Sequence, residues 1–316
     1  MDKQWLSYTE QLRLLTKRGL HIEDPAEAET FLSRVGYYRA SGYFRFWQRD
    51  PANGDNQFIE GSRFSTIRDL YEAENTLALA CSELLRTVEV VTRTRFAHHY
   101  SDLVSPVGGF SEGKGFTQSV NPNSELVQEH ALRDLDRSKE GFIRHYRYPI
   151  SADQATVDPY QKMPIWVAVE AFSFGTLSRL VEASAESGVR DAMAASLNVP
   201  KSLLASQLRS FVYLRNRVAH ASRIWNHSVL DKPGLIRKLE QKTKKAYGHY
   251  SDHSVYKILV ALDEFARRAT LHSTWLTDRI DPLLSSNPLL EAGIKRPCNF
   301  GELSPTLLLP DQEYSP

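Results

Sequence analysis

Apolar side chains recur at three- and four-residue intervals along most of the chain, and few stretches alternate as strands do, so the pattern predicts an all-α fold. The clearest run extends from Phe64 to Tyr100, where Ile67, Leu70, Leu77, Leu84, Val88, Val91 and Phe96 recur at helical spacing with no proline or glycine between them. Earlier, Asp24, Pro25 and Glu27 combine an N-cap, a proline at the first helical position and a capping-box partner, which predicts a helix towards Val35 ended by Gly36. Between Ser101 and Asn123 come Pro106, Gly108, Gly109, Gly113, Gly115 and Pro122, too many breakers for anything but a loop.

A polar helix is expected around Ser124 to Glu140, then an irregular stretch, punctuated by Pro149 and Pro159, up to Gln161. Helical patterns return over Met163–Glu182, Gly188–Leu197, Lys201–Ala221 and Ser251–Leu276. From Asp281 onward six prolines and little periodicity predict an extended tail that either wraps the body or stays mobile. The expected organisation is a helical N-terminal half (1–150), a helical C-terminal half (151–280) and a tail (281–316).

Composition narrows the class. With 41 % hydrophobic, 10 % aromatic and 24 % charged residues in 316, the chain is globular rather than disordered or fibrous. Cys81 and Cys298 are too few for a disulfide framework or a thiol zinc knuckle. The first residues carry no apolar leader and no apolar run approaches the roughly 20 residues of a membrane span, so the expected location is cytoplasmic, away from membranes.

The net charge of +1 does not exclude nucleic acid, because the basic residues are clustered. Arg34, Arg39, Arg45 and Arg49 alternate with Tyr37, Tyr38, Tyr43, Phe44, Phe46 and Trp47, a mixture suited either to an RNA platform or to a core whose arginines reach outward. The core is the favoured reading for the rings, while the arginines remain open. A second cluster holds Arg144 and Arg147, and a third Lys242, Lys244 and Lys245; both suit an RNA backbone, with salt-sensitive binding. His249 and His253 stand four apart, but Gly248 and Ser251 point to a turn and no third zinc ligand is near.

The most suggestive chemistry is a repeated hexapeptide, R-x-R-x-A-H: Arg93 to His98 near the end of the first long helix, and Arg215 to His220 near the end of a later one. A histidine moves protons near neutral pH and an arginine stabilises charge developing on a phosphate. Together they suit RNA cleavage by the substrate's own 2′-OH, leaving a 2′,3′-cyclic phosphate and a 5′-OH, with no metal and no cofactor. Residues five apart lie about 140° around a helix axis, so Arg215 and His220 converge only where the helix ends or distorts, or across two motifs.

R-x(4)-H at a helix end, with a polar residue after the arginine, resembles the signature of HEPN domains, many of which are ribonucleases. The flanks resemble the Abi-like family of bacterial abortive-infection proteins in three places. These are Val35 to Tyr43; Pro164-Ile165-Trp166 with Glu170 and Ser173 to Ser178; and Leu214 to His220 with Trp225-Asn226, within a likeness running from about Tyr8 to Leu276. The resemblance implies two HEPN-like bundles in one chain, an internal pseudo-dimer in which Arg93 and His98 face Arg215 and His220 in one basic cleft. Asn216 would orient the scissile phosphate or cap the helix, where the first copy has Thr94, while Arg95 and Arg217 would bind flanking phosphates or simply be solvated. Glu89, one turn before Arg93, is expected to orient its guanidinium.

Structural roles compete with these. An arginine can cap helix carbonyls and a histidine can make a buried hydrogen bond. Three functional readings follow: a metal-independent endoribonuclease used in phage defence or as a regulated toxin, a module that holds a structured small RNA without cutting it, and an all-α antitoxin-like interaction protein. The first needs a restraining protein or RNA, and a homodimer is left open.

Overall fold

The computed structural model describes residues 4–121, 123–148, 158–272 and 274–309. Ser7 starts α1 (Tyr8–Lys17) through a capping box with Glu10. Asp24 starts α2 (Pro25–Val35) by accepting from the Ala26 and Glu27 amides, and Gly36 ends it, as the capping pattern predicts. Next come α3 (Tyr37–Phe44) and a small antiparallel hairpin, β1 (Gln48–Asp50) and β2 (Asp55–Phe58), in the register Gln48 to Phe58.

The run without breakers becomes α4 (Phe64–Leu103), 40 residues long. After the glycine-rich loop come α5 (Val127–Arg137) and α6 (Gly141–Tyr146). The expected 163–182 helix is two helices, α7 (Ile165–Ala171) and α8 (Phe174–Ala183), because Phe172 turns into the core and Ser173 caps a new start by accepting from the Thr176 amide. Then follow α9 (Val189–Ser196), α10 (Lys201–Ala219), α11 (Arg237–Tyr247) over the lysine cluster, and α12 (Val255–Arg268). The last is shorter than expected, ending where Thr270 takes a left-handed conformation.

The all-α class is borne out. The extended tail is not. A turn of π-helix (Leu276–Ile280) leads into α13 (Asp281–Ser285), α14 (Pro288–Lys295) and α15 (Pro305–Leu308). Prolines at the first turns of these helices start them rather than break them, because a first-turn residue needs no amide donor. Leu284, Leu290, Ile294 and Leu308 enter the core. The Trp47 indole donates to the Leu308 carbonyl at 2.8 Å and the Trp225 indole to that of Leu289 at 2.9 Å.

Among the described residues the buried apolar side chains form one continuous cluster. The centre is α4, which packs against α7, α8, α9, α10, α12 and α14, so the N-terminal half lends its longest helix to the C-terminal one. The boundary expected at 150/151, and Pro149 with it, lie outside the described residues, as does the tail beyond Leu309. Among the described residues no helix is long and apolar enough to cross a membrane.

Trp225 is where tail and body meet. Its ring is fully buried among Tyr43, Phe46 and Trp47, and Gly293 of α14 lies so close that a Cβ there would sit 2.3 Å from the indole nitrogen. Gly293→Ala is therefore expected to lower the unfolding free energy by about 2 kcal/mol, the cost of overpacking a filled site. Urea denaturation reads it, and an unchanged midpoint would mean that the indole moves aside freely.

Candidate active site

Two arginines from the repeated hexapeptide meet on one carboxylate. Glu89 of α4 is paired with Arg93 one turn further on, as its spacing predicts, and also with Arg215 of α10, whose Nε and Nη2 each lie 3.1 Å from a Glu89 oxygen. Glu89 and Arg93 are about seven-eighths buried, while a third of the Arg215 side chain is exposed. One negative charge between two positive ones leaves the cluster at +1. Of the five N–H donors of Arg215, two go to Glu89 and one to the Asn216 side chain at 3.1 Å, leaving two for a ligand on the open side.

His220 lies at the end of the same helix. It occupies the C-cap, and the next residue, Ala221, adopts φ +48. The Ala221 amide bonds the Val218 carbonyl and the Ser222 amide bonds the Arg217 carbonyl, a Schellman ending with alanine where glycine is usual. Left-handed backbone costs an L-residue about 1 kcal/mol, so the turn needs outside support. Arg39 supplies it by donating to the Ala221 carbonyl, and Arg217 grips the Arg223 carbonyl just beyond. The His220 imidazole stays exposed, with no hydrogen bond among the described residues.

Beyond the turn the chain is anchored by Glu74 of α4, which is 4 % exposed. It accepts from the Tyr43 hydroxyl at 2.6 Å, the Trp225 amide at 3.1 Å and the Ile224 amide. Arg223 donates to the Gly42 carbonyl and covers the Phe46 ring. Burial pushes the Glu74 carboxyl above its ordinary value, against the pull of the Tyr43 hydroxyl, the two amides and the Arg223 charge. The same burial raises the Tyr43 hydroxyl.

Not all four motif residues gather in one cleft. Arg215 meets Glu89 while Ile224 and Trp225, further on, meet Glu74, so the chain here runs antiparallel to α4. His98 lies nine residues past Glu89 in one direction and His220 five residues past Arg215 in the other. At the helical rise per residue this separates them by about 20 Å along the axes. Antiparallel packing thus joins the guanidiniums and parts the imidazoles. His98 instead lines an open pocket of about 430 Å³ with Trp166 and Glu170.

The other basic candidates divide in two. Arg45 lies over the Phe300 ring, Arg147 pairs with Asp136 at 3.0 Å, Lys244 pairs with Glu240 at 2.7 Å, and Arg217 and Arg39 hold carbonyls as described. Arg95, Arg144, Lys242 and Lys245 are exposed, without side-chain hydrogen bonds or ion pairs among the described residues. Of the rings that alternate with Arg39 and Arg45 in sequence, Tyr43, Phe44, Phe46 and Trp47 are core, while Tyr38 is 89 % exposed. His249 and His253 fall between α11 and α12, where His253 Nδ1 lies 2.7 Å from the Val229 carbonyl.

Fold and site together define an all-α protein that presents an oriented arginine and a free histidine at the exposed end of a core helix. The chain belongs to the Abi-like protein family, whose family model matches residues 30–226, well over half its length, and membership points to a role in abortive infection. No curated protein and no solved structure matches it. The matched span begins in α2 and ends at Asn226, so it holds Tyr43, Glu74, Glu89 and both hexapeptides but none of the helices from α11 onward.

The native state holds the Glu74 proton more tightly than the unfolded chain does. Stability from this group is complete below the ordinary carboxylate value of 4.5 and is lost as pH rises through the raised one. Relative to Glu74→Gln, the wild type is expected to lose stability above about pH 4.5 in paired denaturation curves; a relative gain would contradict the assignment. At Glu89, removing the shared charge sets two arginines against each other. Glu89→Gln should cost about 2 kcal/mol, less than a fully buried pair because Arg215 is partly solvated. Calorimetry of the two proteins measures it, and equal stabilities would remove Glu89 from its bridging role.

Proposed function

We propose that this protein is a metal-independent endoribonuclease acting in abortive infection, with Arg215, Asn216 and His220 as its reacting groups. The observation that carries the reading is a guanidinium one third exposed, held by Glu89 and Asn216 with two N–H groups to spare, five residues before an unencumbered imidazole at the end of the same helix. Arg215 stabilises the charge that builds on the phosphate, Asn216 helps to orient it, and His220 takes the 2′-OH proton. The attack closes a 2′,3′-cyclic phosphate and releases a 5′-OH.

An acid is also needed for the departing 5′ oxygen. With His98 about 20 Å away along the helix axes, the second proton group falls to His220 of a facing copy, so a homodimer belongs to the proposal. Arg93 acts through Glu89 as a positioning residue. Exposed Arg95, Arg144, Lys242 and Lys245 offer charge for the RNA backbone. A nuclease that cuts cellular RNA must be held off until infection, so the proposal includes a restraining partner, protein or structured RNA. A second reading, holding RNA without cutting it, is favoured by Glu89, which already fills part of the charge a phosphate would meet.

End-labelled single-stranded and hairpin RNAs incubated with the protein in EDTA provide the test. Cleavage with cyclic-phosphate ends is expected, DNA should be inert, and Arg215→Ala or His220→Ala should lower the rate by at least about 100-fold. Salt-sensitive binding without cleavage, unchanged in His220→Ala, would favour the second reading.

A further inference from the structure

The pocket beside His98 is left unexplained by chemistry at the end of α10. Thr94, His98 and Ser101 of α4 form one wall, and Trp166, Val169 and Glu170 of α7 the other. The loop that follows α4 is tied to the start of α7: the Gly108 amide bonds the Met163 carbonyl, and the Ile165 amide bonds the Pro106 carbonyl. Gly108 has φ +72, and a Cβ there would lie 2.1 Å from the Gln161 carbonyl oxygen, so only glycine allows this approach. Arg93 ties α4 to α7 directly by donating to the Val169 carbonyl.

The side chains facing this space are unspent. Trp166 is 52 % exposed on a helix whose Ile165, Ala168 and Val169 are buried, so a large ring is turned away from the core that lies beside it. Its indole N–H, the His98 ring and the Glu170 carboxylate make no hydrogen bond among the described residues. Thr94 and Ser101, by contrast, are satisfied by the Val90 and Ala97 carbonyls of their own helix. The free groups are thus a stacking face, a carboxylate acceptor and an imidazole.

We propose that this pocket binds a guanine base, stacked on Trp166 and read by Glu170. A carboxylate accepts side by side from N1–H and N2–H, a pair of donors that no other common base carries on one edge. His98 on the opposing wall offers a ring N–H to O6 or N7. The volume, about 430 Å³, suits a nucleotide-sized ligand better than a small amine. Exposed Arg95, next to Thr94 on the same helix, offers positive charge to a ligand that carries phosphate. The base comes from an RNA strand or from a free guanine nucleotide, and in neither case does the site depend on cleavage at His220.

The test uses the full chain as His220→Ala, so that RNA survives. One arm titrates GMP and AMP by calorimetry. The other measures anisotropy of a labelled oligouridine heptamer with a single central guanosine or adenosine. A preference for guanine of about tenfold is expected, within the range of a stacked and hydrogen-bonded base. GMP binding marks a free-nucleotide site, and preference in the heptamer alone marks a base within a strand. Glu170→Gln should abolish the preference, and Trp166→Ala should weaken both bases about tenfold, with melting temperatures unchanged because both side chains are exposed. Equal affinity for the two bases in both arms, no binding in either, or a preference that survives Glu170→Gln overturns the assignment. Loss of RNA cleavage in the wild type would leave it untouched.

Discussion

A carboxylate withdrawn from water costs several kcal/mol unless its oxygens are filled, and Glu74 is withdrawn almost completely. Its partners come from parts of the chain far apart in sequence: the Tyr43 hydroxyl of α3, and the Ile224 and Trp225 amides just beyond α10. Satisfying that one group fixes where the chain goes after His220. Trp225 then drops into the aromatic cluster of Tyr43, Phe46 and Trp47, and α14 closes over it. Arg39 and Arg223 complete the same clamp by holding carbonyls on either side of it. The left-handed turn at Ala221, and with it the position of His220, rests on this framework rather than on the helix alone.

Glu89 works on the same helix by a different balance. It is shared by Arg93 and Arg215, so it aligns both guanidiniums while leaving an excess positive charge for an anion. A guanidinium fixed in advance loses less freedom on binding than one that must be ordered by its ligand. The cost is that an incoming phosphate meets a carboxylate nearby. That arrangement favours phosphates placed on the exposed N–H groups of Arg215, away from the buried side of the pair.

Both carboxylates and the wall of the Trp166 pocket belong to α4, so one helix carries three kinds of work along its length. Glu74 anchors the turn, Glu89 aligns the arginines, and His98 faces the pocket. Arg93 links the last two, since it pairs with Glu89 and also holds the Val169 carbonyl in the wall of that pocket. A rigid element of 40 residues keeps these sites at fixed spacing, as a loop would not.

Several features could be read directly from the chain: the extent of α4, the capped start of α2, the core role of the rings around Trp47, and the Glu89–Arg93 pair one turn apart. Each depends on a local period or a cap, which neighbouring residues encode. The helices of the tail are not legible in its pattern, because prolines that begin short helices look the same in sequence as prolines that forbid them, and only the burial of Leu284, Leu290 and Leu308 in the core tells them apart. Local periodicity and capping are enough to specify an all-α chain with arginine and histidine near two helix ends. Which of them meet is set by long-range packing: Arg215 finds Glu89 across 126 positions, and antiparallel packing carries His98 and His220 apart. Such pairings follow from how distant helices bury their faces against each other, and no spacing within one helix specifies that.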